Sequence, residues 1–209
     1  MRKKKVDNFH QWRKEMKAKG KMISHYPKLT KDGNLAELIG VILGDGSIHK
    51  YKRTEGLRIV SNSNNPHFVK RYCEIINQVF NKYPSATKRK GSNAIDIRIY
   101  QKYLSKRLGI PCGSRFNLKS ILPSWIGRNR KYTIRYLRGL YEAEGSYSVH
   151  LPTSTYKFIF SNSNPHLLNV VFILLKKLGF NPHKDLKKVQ LSRKEETRRI
   201  IEFLEFRKY

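Results

Sequence analysis

The chain has 209 residues, 39% of them hydrophobic and 11% aromatic, which is enough to bury a core and excludes a disordered chain. Its 44 Lys and Arg against 15 Asp and Glu give a net charge of +29, a self-repulsion that a polyanionic partner offsets. No apolar run nears the roughly 20 residues that span a bilayer, and no apolar stretch follows the basic start as in a signal peptide. Nucleic acid is therefore the expected partner and not a membrane, in the cytoplasm of a prokaryotic cell or an organellar matrix.

Residues 1–31 carry 11 Lys and Arg against 2 Asp and Glu and read as a basic arm, helical over 9–19, that contacts phosphates. Asp32 is placed to cap the next helix, 33–43, because a side-chain oxygen ahead of an apolar run satisfies a free amide of the first turn. After Gly46 the apolar period changes to two, and SIHKY (47–51) and LRIVS (57–61) predict a hairpin. Pro66 opens a helix over 66–80 with Phe68, Val69, Tyr72, Ile75, Ile76 and Val79 on one face. A second hairpin over 85–100 turns at Gly91, and a helix over 103–108 closes the unit.

The stretch 111–130, broken by Pro111 and Pro123, is an irregular connector. From Lys131 the pattern restarts. A helix carries YLRGLYEA, SYSVH and YKFIFS form a hairpin around Pro152, and a helix runs from Pro165 towards Phe180. Strand-like KKVQLS (187–192) and a last helix over 195–206 follow. The organisation predicted is an arm (1–31), a first half (32–110), a connector (111–130) and a second half (131–209). Cys73 and Cys112 form no metal-binding spacing and are expected to be reduced thiols.

The two halves are copies. RIVSNSNNPHFV (58–69) matches FIFSNSNPHLL (158–168), and Asp45 and Glu144, each ending an apolar helix, lie 99 residues apart (144−45). A lone Gly-Asp-Gly after an apolar helix is only a helix end and turn; its return in register with the Ser-Asn-Ser-Asn segment is what carries weight. The repeat predicts an αββαβ(β)α unit present twice and packed about a pseudo-twofold axis.

Gly40 and Gly44 on the first helix and Gly139 and Ala143 on the second hold matching places four residues apart, so each helix carries a strip of small residues. Two such strips let backbones approach closely. Gly46 and Gly145 are expected in helix-terminating turns with positive φ. Asp45 and Glu144 should then emerge side by side, repelling each other at the negative ends of two helix dipoles. Such a pair calls for cations, and carboxylate oxygens suit Mg²⁺ together with substrate phosphate. In a strongly basic chain this points to phosphodiester hydrolysis.

At these residues the sequence resembles the LAGLIDADG homing endonucleases: LIGVILGDG (38–46) and LRGLYEAEG (137–145) match the two signature copies of the single-chain members, and the likeness runs over about 35–206. The resemblance implies an α+β fold, a pseudo-twofold duplication of an αββαββα unit. The signature helices would meet at the interface, and two antiparallel sheets would form a DNA-binding saddle. It implies a monomer that makes a double-strand break in a long, nearly asymmetric DNA site. Mg²⁺ would be required, Mn²⁺ able to substitute, and Ca²⁺ would support binding without cleavage. Asp45 and Glu144 would hold the metal with the carbonyls of Gly44 and Ala143, and Asn62 and Asn162 would position the solvent network. Many members follow that amide with Lys; here Ser63 and Ser163 follow, so basic help must come from elsewhere, with Arg98, Arg115 and Lys119 as candidates.

By strand parity the DNA contacts would be Lys50, Lys52, Arg53, Arg58, Lys88, Arg89, Lys90 and Arg98 in the first half. In the second they would be His150, Lys157, Lys184, Lys187 and Lys188. Arginines on a hairpin reach guanine edges, and charges at its tip touch phosphates. An alternative on the same fold is a maturase that binds intron RNA; a DNA-binding regulator would have lost a carboxylate, and both are present.

Overall fold

A computed structural model describes residues 8–19 and 26–209; residues 1–7 and 20–25 of the predicted arm lie outside the described residues. Helix α1 (Asn8–Ala18) has no buried residue. Helix α2 (Gly33–Gly44) starts where expected, since the Asp32 carboxylate accepts from the Leu35 amide at 2.8 Å. It buries every residue from Leu35 to Leu43. Strands β1 (Gly46–Lys50) and β2 (Glu55–Asn62), helix α3 (Pro66–Phe80), strands β3 (Ser85–Lys88) and β4 (Ala94–Gln101) and helix α4 (Leu104–Leu108) complete the first unit.

The connector contains one short helix, α5 (Ser124–Gly127). Then α6 (Arg130–Glu144), capped by Asn129, begins the second unit. Strands β5 (Gly145–His150) and β6 (Thr155–Ser161), helix α7 (Pro165–Lys177), strands β7 (His183–Lys184) and β8 (Lys188–Leu191) and helix α8 (Lys194–Phe203) follow. The fold is α+β. Each unit has one four-stranded antiparallel sheet, ordered β1-β2-β4-β3 and β5-β6-β8-β7. Period-two alternation sends Ile48, Leu57, Ile59, Ile97 and Ile99 to the helix side of the first sheet, and Phe158, Phe160, Val189 and Leu191 to that of the second.

The two units meet through α2 and α6. A Cβ at Gly40 would lie 2.3 Å from the Tyr136 carbonyl oxygen, and one at Gly139 would lie 2.0 Å from the Glu37 carbonyl oxygen. The two glycines are 99 residues apart and so are the two carbonyls (139−40 and 136−37), so the contact repeats itself about a twofold axis. Backbone touches backbone there, as the small-residue strips require.

The sequence hides one feature of this interface. Glu37, fully buried inside the apolar run, accepts from Arg71 Nε and Nη2 at 2.7 and 2.9 Å and from the Tyr72 hydroxyl at 3.2 Å. Arg135 Nε stands 2.6 Å from its other oxygen without hydrogen-bond alignment, and Arg138 Nε is 3.8 Å away. Arg135 and Arg138 belong to α6, so one carboxylate ties the units together. Removing one partner of a buried ion cluster strands the others. Glu37→Ala is therefore expected to cost about 3–5 kcal/mol in urea unfolding.

Three expectations need correction. Gly46 and Gly145 do not adopt positive φ: Gly145 has φ −87°, and Gly46 is the first residue of β1. Glycine is needed there for space, because a Cβ would come within 2.6 Å of Ile42 Cα in one case and 2.3 Å of the Tyr141 oxygen in the other. The helix from Pro165 stops at Lys177, with Gly179 at φ +86° behind it. The last helix stops at Phe203, and the chain then turns back through Glu205 and Arg207, both at positive φ.

Candidate active site

The close approach of α2 and α6 brings their last residues together. A Cβ at Gly44 would lie 2.5 Å from Ala143 Cβ and 3.1 Å from Glu144 Cγ. Asp45 reaches solvent but is partly desolvated in a concavity shared with Asn62, Ala143 and Arg207. That desolvation first, and the charge of Glu144 second, push its carboxyl from 3.8 up to about 7. Burial likewise raises Glu144, opposed by a hydrogen bond from Asn162 Nδ2 to Glu144 Oε1 at 3.3 Å.

Each acid opens into its own cavity, and the two cavities are built alike. Asp45 shares one with Asn62 of its own unit and Ala143 of the other helix. Glu144 shares the second with Asn162 of its own unit and Gly44 of the other helix. Both asparagines fold the same local turn, Asn62 Oδ1 accepting from the Asn64 amide at 3.0 Å and Asn162 Oδ1 from the Asn164 amide at 2.9 Å. That turn consumes the amide oxygen and leaves the NH₂ group to face the cavity, as Asn162 does.

Among the described residues, no three His, Cys, Asp or Glu side chains gather at one point. The donor set is two carboxylates and the carbonyls of two helix ends, which lack intrahelical partners. This set fits a hard cation that keeps water and takes phosphate as a further ligand, and does not fit zinc.

The raised Asp45 carboxyl makes a testable claim about pH. Between about 4 and 7 the folded chain holds a proton on Asp45 that the unfolded chain has released, so stability from this group is present at low pH and lost as pH rises through 7. In EDTA, thermal unfolding of the unaltered chain relative to Asp45→Asn is expected to fall from pH 5 to pH 8. A difference that stays constant over that range contradicts it.

Around this centre the predicted contacts divide by face. The face of the first sheet turned away from the helices carries Arg58, Arg98 and, from the β3–β4 turn, Arg89. All three converge on Asp96, with Arg58 Nε at 2.9 Å, Arg89 Nη2 at 2.7 Å and Arg98 Nη2 at 2.6 Å from its oxygens. Asp96 is buried beneath them at 2% exposure. Arg98 is thus committed to the sheet and is not at the acids. Lys52 and Arg53 sit exposed in the β1–β2 turn, and Lys90 in the β3–β4 turn.

In the second sheet Lys157 and Lys188 share that face, His150 bonds to Thr153, and Lys187 lies in the β7–β8 turn. Parity fails for three residues. Lys50 pairs with Glu55, Lys88 with Ile95 and Lys184 with Val189, all in rows that point to the helix side. Lys184 accordingly donates to Asn169 of α7 at 3.1 Å, and His183 takes the outer position. One residue of register decides the face, and short edge strands declare their register poorly in sequence. Of the basic candidates for the acids, Lys119 is exposed on the connector, whereas Arg115 lines the Glu144 cavity. Sequence reading missed Arg207, which lines the Asp45 cavity, because it follows the last helix with no motif around it.

Residues 131–209 match the LAGLIDADG-like domain family. The uncharacterized protein MJ0314 of Methanocaldococcus jannaschii is 27% identical over 159 residues, 72% of this chain, and the chain spans 56% of that protein's length. Among solved structures, I-DmoI in complex with DNA and Mn is similar with a TM-score of 0.55 and 22% identity, over 82% of this chain and 96% of that one. The N-terminal LAGLIDADG domain of DUF199/WhiA is similar with a TM-score of 0.58 and 14% identity, over 86% and 84%. The repeat seen in sequence, the small-residue helix contact and these likenesses agree: residues 131–209 match the LAGLIDADG-like domain family, and the whole chain shares the two-motif fold seen in I-DmoI.

Proposed function

We propose that the chain is a site-specific DNA endonuclease that makes a double-strand break by metal-assisted hydrolysis. The observation that carries this reading is the pair of carboxylates, Asp45 and Glu144, crowded at the ends of two touching helices, with burial first and Glu144 second raising the Asp45 carboxyl, in a chain of net charge +29. A fold alone does not set an activity, so the reading rests on the two acids. The relative I-DmoI was crystallised with DNA and Mn and with DNA and Ca, in line with a divalent cation at this pair.

When bound, Mg²⁺ or Mn²⁺ would lower the pKa of water and stabilise the leaving oxygen. Asp45 and Glu144, with the carbonyls of Gly44 and Ala143, would hold it, and Asn62 and Asn162 would orient water at each cavity. In the reaction a water oxygen bonds to phosphorus and a phosphorus–oxygen bond of the backbone breaks. One water proton goes to the leaving oxygen and the other leaves with the ionising phosphate. Two equivalent cavities suit two strands.

The test is a supercoiled plasmid library with randomised inserts, incubated with the chain in Mg²⁺ and in EDTA, from which linear molecules are recovered and sequenced. A shared insert sequence that appears only with metal supports the reading. Linear molecules in both conditions, or in neither, refute it.

Asp96 makes a second expectation for DNA. Three guanidiniums are held on one carboxylate, Arg89 through two bonds and Arg58 and Arg98 through one each, and positioned guanidiniums discriminate bases where loose charges only bind phosphate. Asp96→Asn is expected to reduce the preference for the selected duplex over a mismatched one about tenfold at constant salt. Competition binding reads this, and an unchanged ratio would remove Asp96 from recognition.

A further inference from the structure

Glycine weakens the interior of a strand, because it gives up the most backbone freedom on folding and packs nothing. Gly56 nevertheless stands inside β2, paired with His49 of β1 and Tyr100 of β4. Register puts these three on the face turned away from the helices, in the next row after Arg58 and Arg98. The reason for the glycine is two rings. A Cβ there would stand 2.9 Å from Tyr51 Cε2 and 3.0 Å from Tyr100 Cε1. Tyr51, one residue past β1, brings its ring back over Gly56 to meet that of Tyr100, with centroids 5.9 Å apart and planes tilted by 56°.

Both rings stay nearly half exposed, Tyr51 at 49% and Tyr100 at 43%. With His49, Arg58 and Arg98 they line a cavity of about 260 Å³. In a chain with 44 Lys and Arg, bare rings on this face are a choice against phosphate, which an uncharged ring cannot neutralise. What a ring offers in a major groove is apolar contact. Among the four bases the apolar group displayed there is the C5 methyl of thymine. The neighbouring row supplies the opposite chemistry, since Asp96 holds Arg58 at 2.9 Å and Arg98 at 2.6 Å as donors for a guanine edge. The second unit has no such slot. By the equivalent pairs Gly46–Ile59 and Gly145–Phe160, Lys157 takes the place of Gly56 and Ser148 that of His49.

We propose that Tyr51 and Tyr100, set over Gly56, form a slot for the 5-methyl group of one pyrimidine in the first half of the DNA site. This rests on the endonuclease reading only so far as that reading places duplex DNA on this face. Thymine supplies the methyl in unmodified DNA and 5-methylcytosine in methylated DNA, and both present it at the same place on the groove edge. A methyl between the rings leaves water and covers them, whereas a base without it leaves apolar walls wet. The slot thus reads what the arginines beside it cannot, and in one half of the site only.

The experiment uses the full chain in Ca²⁺ and duplexes selected from a randomised pool by binding, with no cleavage required. Each thymine of the selected duplex is replaced in turn by deoxyuridine, which lacks only the methyl. One thymine, in one half of the site, is expected to lose about fourfold in affinity, the effect of taking one methyl group out of water. With a C·G pair at that position, methylating the cytosine should gain the same factor. Tyr51→Phe and Tyr100→Phe keep the rings and should keep the difference. The double variant Tyr51→Ala, Tyr100→Ala should bind the thymine and deoxyuridine duplexes alike, and so should Gly56→Ala, whose added methyl forces the rings apart. Thermal unfolding identifies the variants that fold. The proposal is overturned if no thymine responds to loss of its methyl, or if the response persists in the folded double variant, where it would come from DNA shape. It is also overturned if the Phe variants abolish the response, since the hydroxyls would then make the contact. A chain that shows this methyl response but cuts no duplex in Mg²⁺ would fail as an endonuclease and leave the slot standing. A chain with no preference among duplexes overturns both.

Discussion

Replacing Asp45 by Asn and Glu144 by Gln together is expected to abolish cleavage while duplex binding stays as tight or tightens. Both substitutions keep size and one acceptor oxygen while removing the charge and turning the other oxygen into a donor. The acids sit at the ends of α2 and α6, where desolvation and mutual repulsion raise Asp45 to about 7. That repulsion stabilises nothing in the free chain, so its removal should leave folding intact. It would be relieved by a cation, and the variant should lose that cation. A loss of at least about 10³-fold in rate, or ~4 kcal/mol of barrier, is the expected scale. Binding should not fall, because two negative charges that would face DNA phosphates are gone. Plasmid linearisation and fluorescence anisotropy on the same preparation decide the matter. If both activities collapse together, the acids serve the fold and not the chemistry.

The second large effect concerns the helix contact itself. Gly139→Ala is expected to destabilise the chain by about 3 kcal/mol or more, at the upper end for overpacking. Its Cβ would stand 2.0 Å from a backbone oxygen of α2, and backbone cannot rotate out of the way as a side chain can. Relief requires the helices to part, which loosens Glu37 from Arg135 and Arg138 and moves Asp45 away from Glu144. With total stabilities of about 5–15 kcal/mol, adding Gly40→Ala should leave no cooperative unfolding transition. Gly127→Ala is the control, since its Cβ would meet only the tip of Leu122 at 3.2 Å. Urea unfolding of the three variants gives the comparison. A Gly139→Ala chain as stable as Gly127→Ala would mean that the helices are not packed so closely.

Much of this was legible in the chain before folding. Asp32 caps the helix it precedes, Pro66 and Pro165 open theirs, and the apolar periods switch from helix to strand within a residue or two of the observed ends. These are local rules, satisfied by neighbours in sequence. The recurrence of small residues at 40, 44, 139 and 143 also foretold a backbone contact, since repetition in register leaves few other uses for an absent side chain.

Other features were out of reach for a physical reason. Why Gly46 and Gly145 must be glycine depends on the preceding turn lying against them, which only coordinates reveal. The faces taken by Lys50, Lys88 and Lys184 depend on pairing register in short strands, where one residue reverses the answer. Glu37 owes its role to partners 34 to 101 residues away (71−37 and 138−37), Asp96 draws Arg58 from 38 residues away, and Arg115 and Arg207 come to the acid cavities from outside the repeated motifs. Local pattern thus determined the elements, the duplication and the position of the two acids. Tertiary packing alone decided which charges meet, because a charge is spent or left free according to what lies beside it in space, and sequence distance says nothing of that.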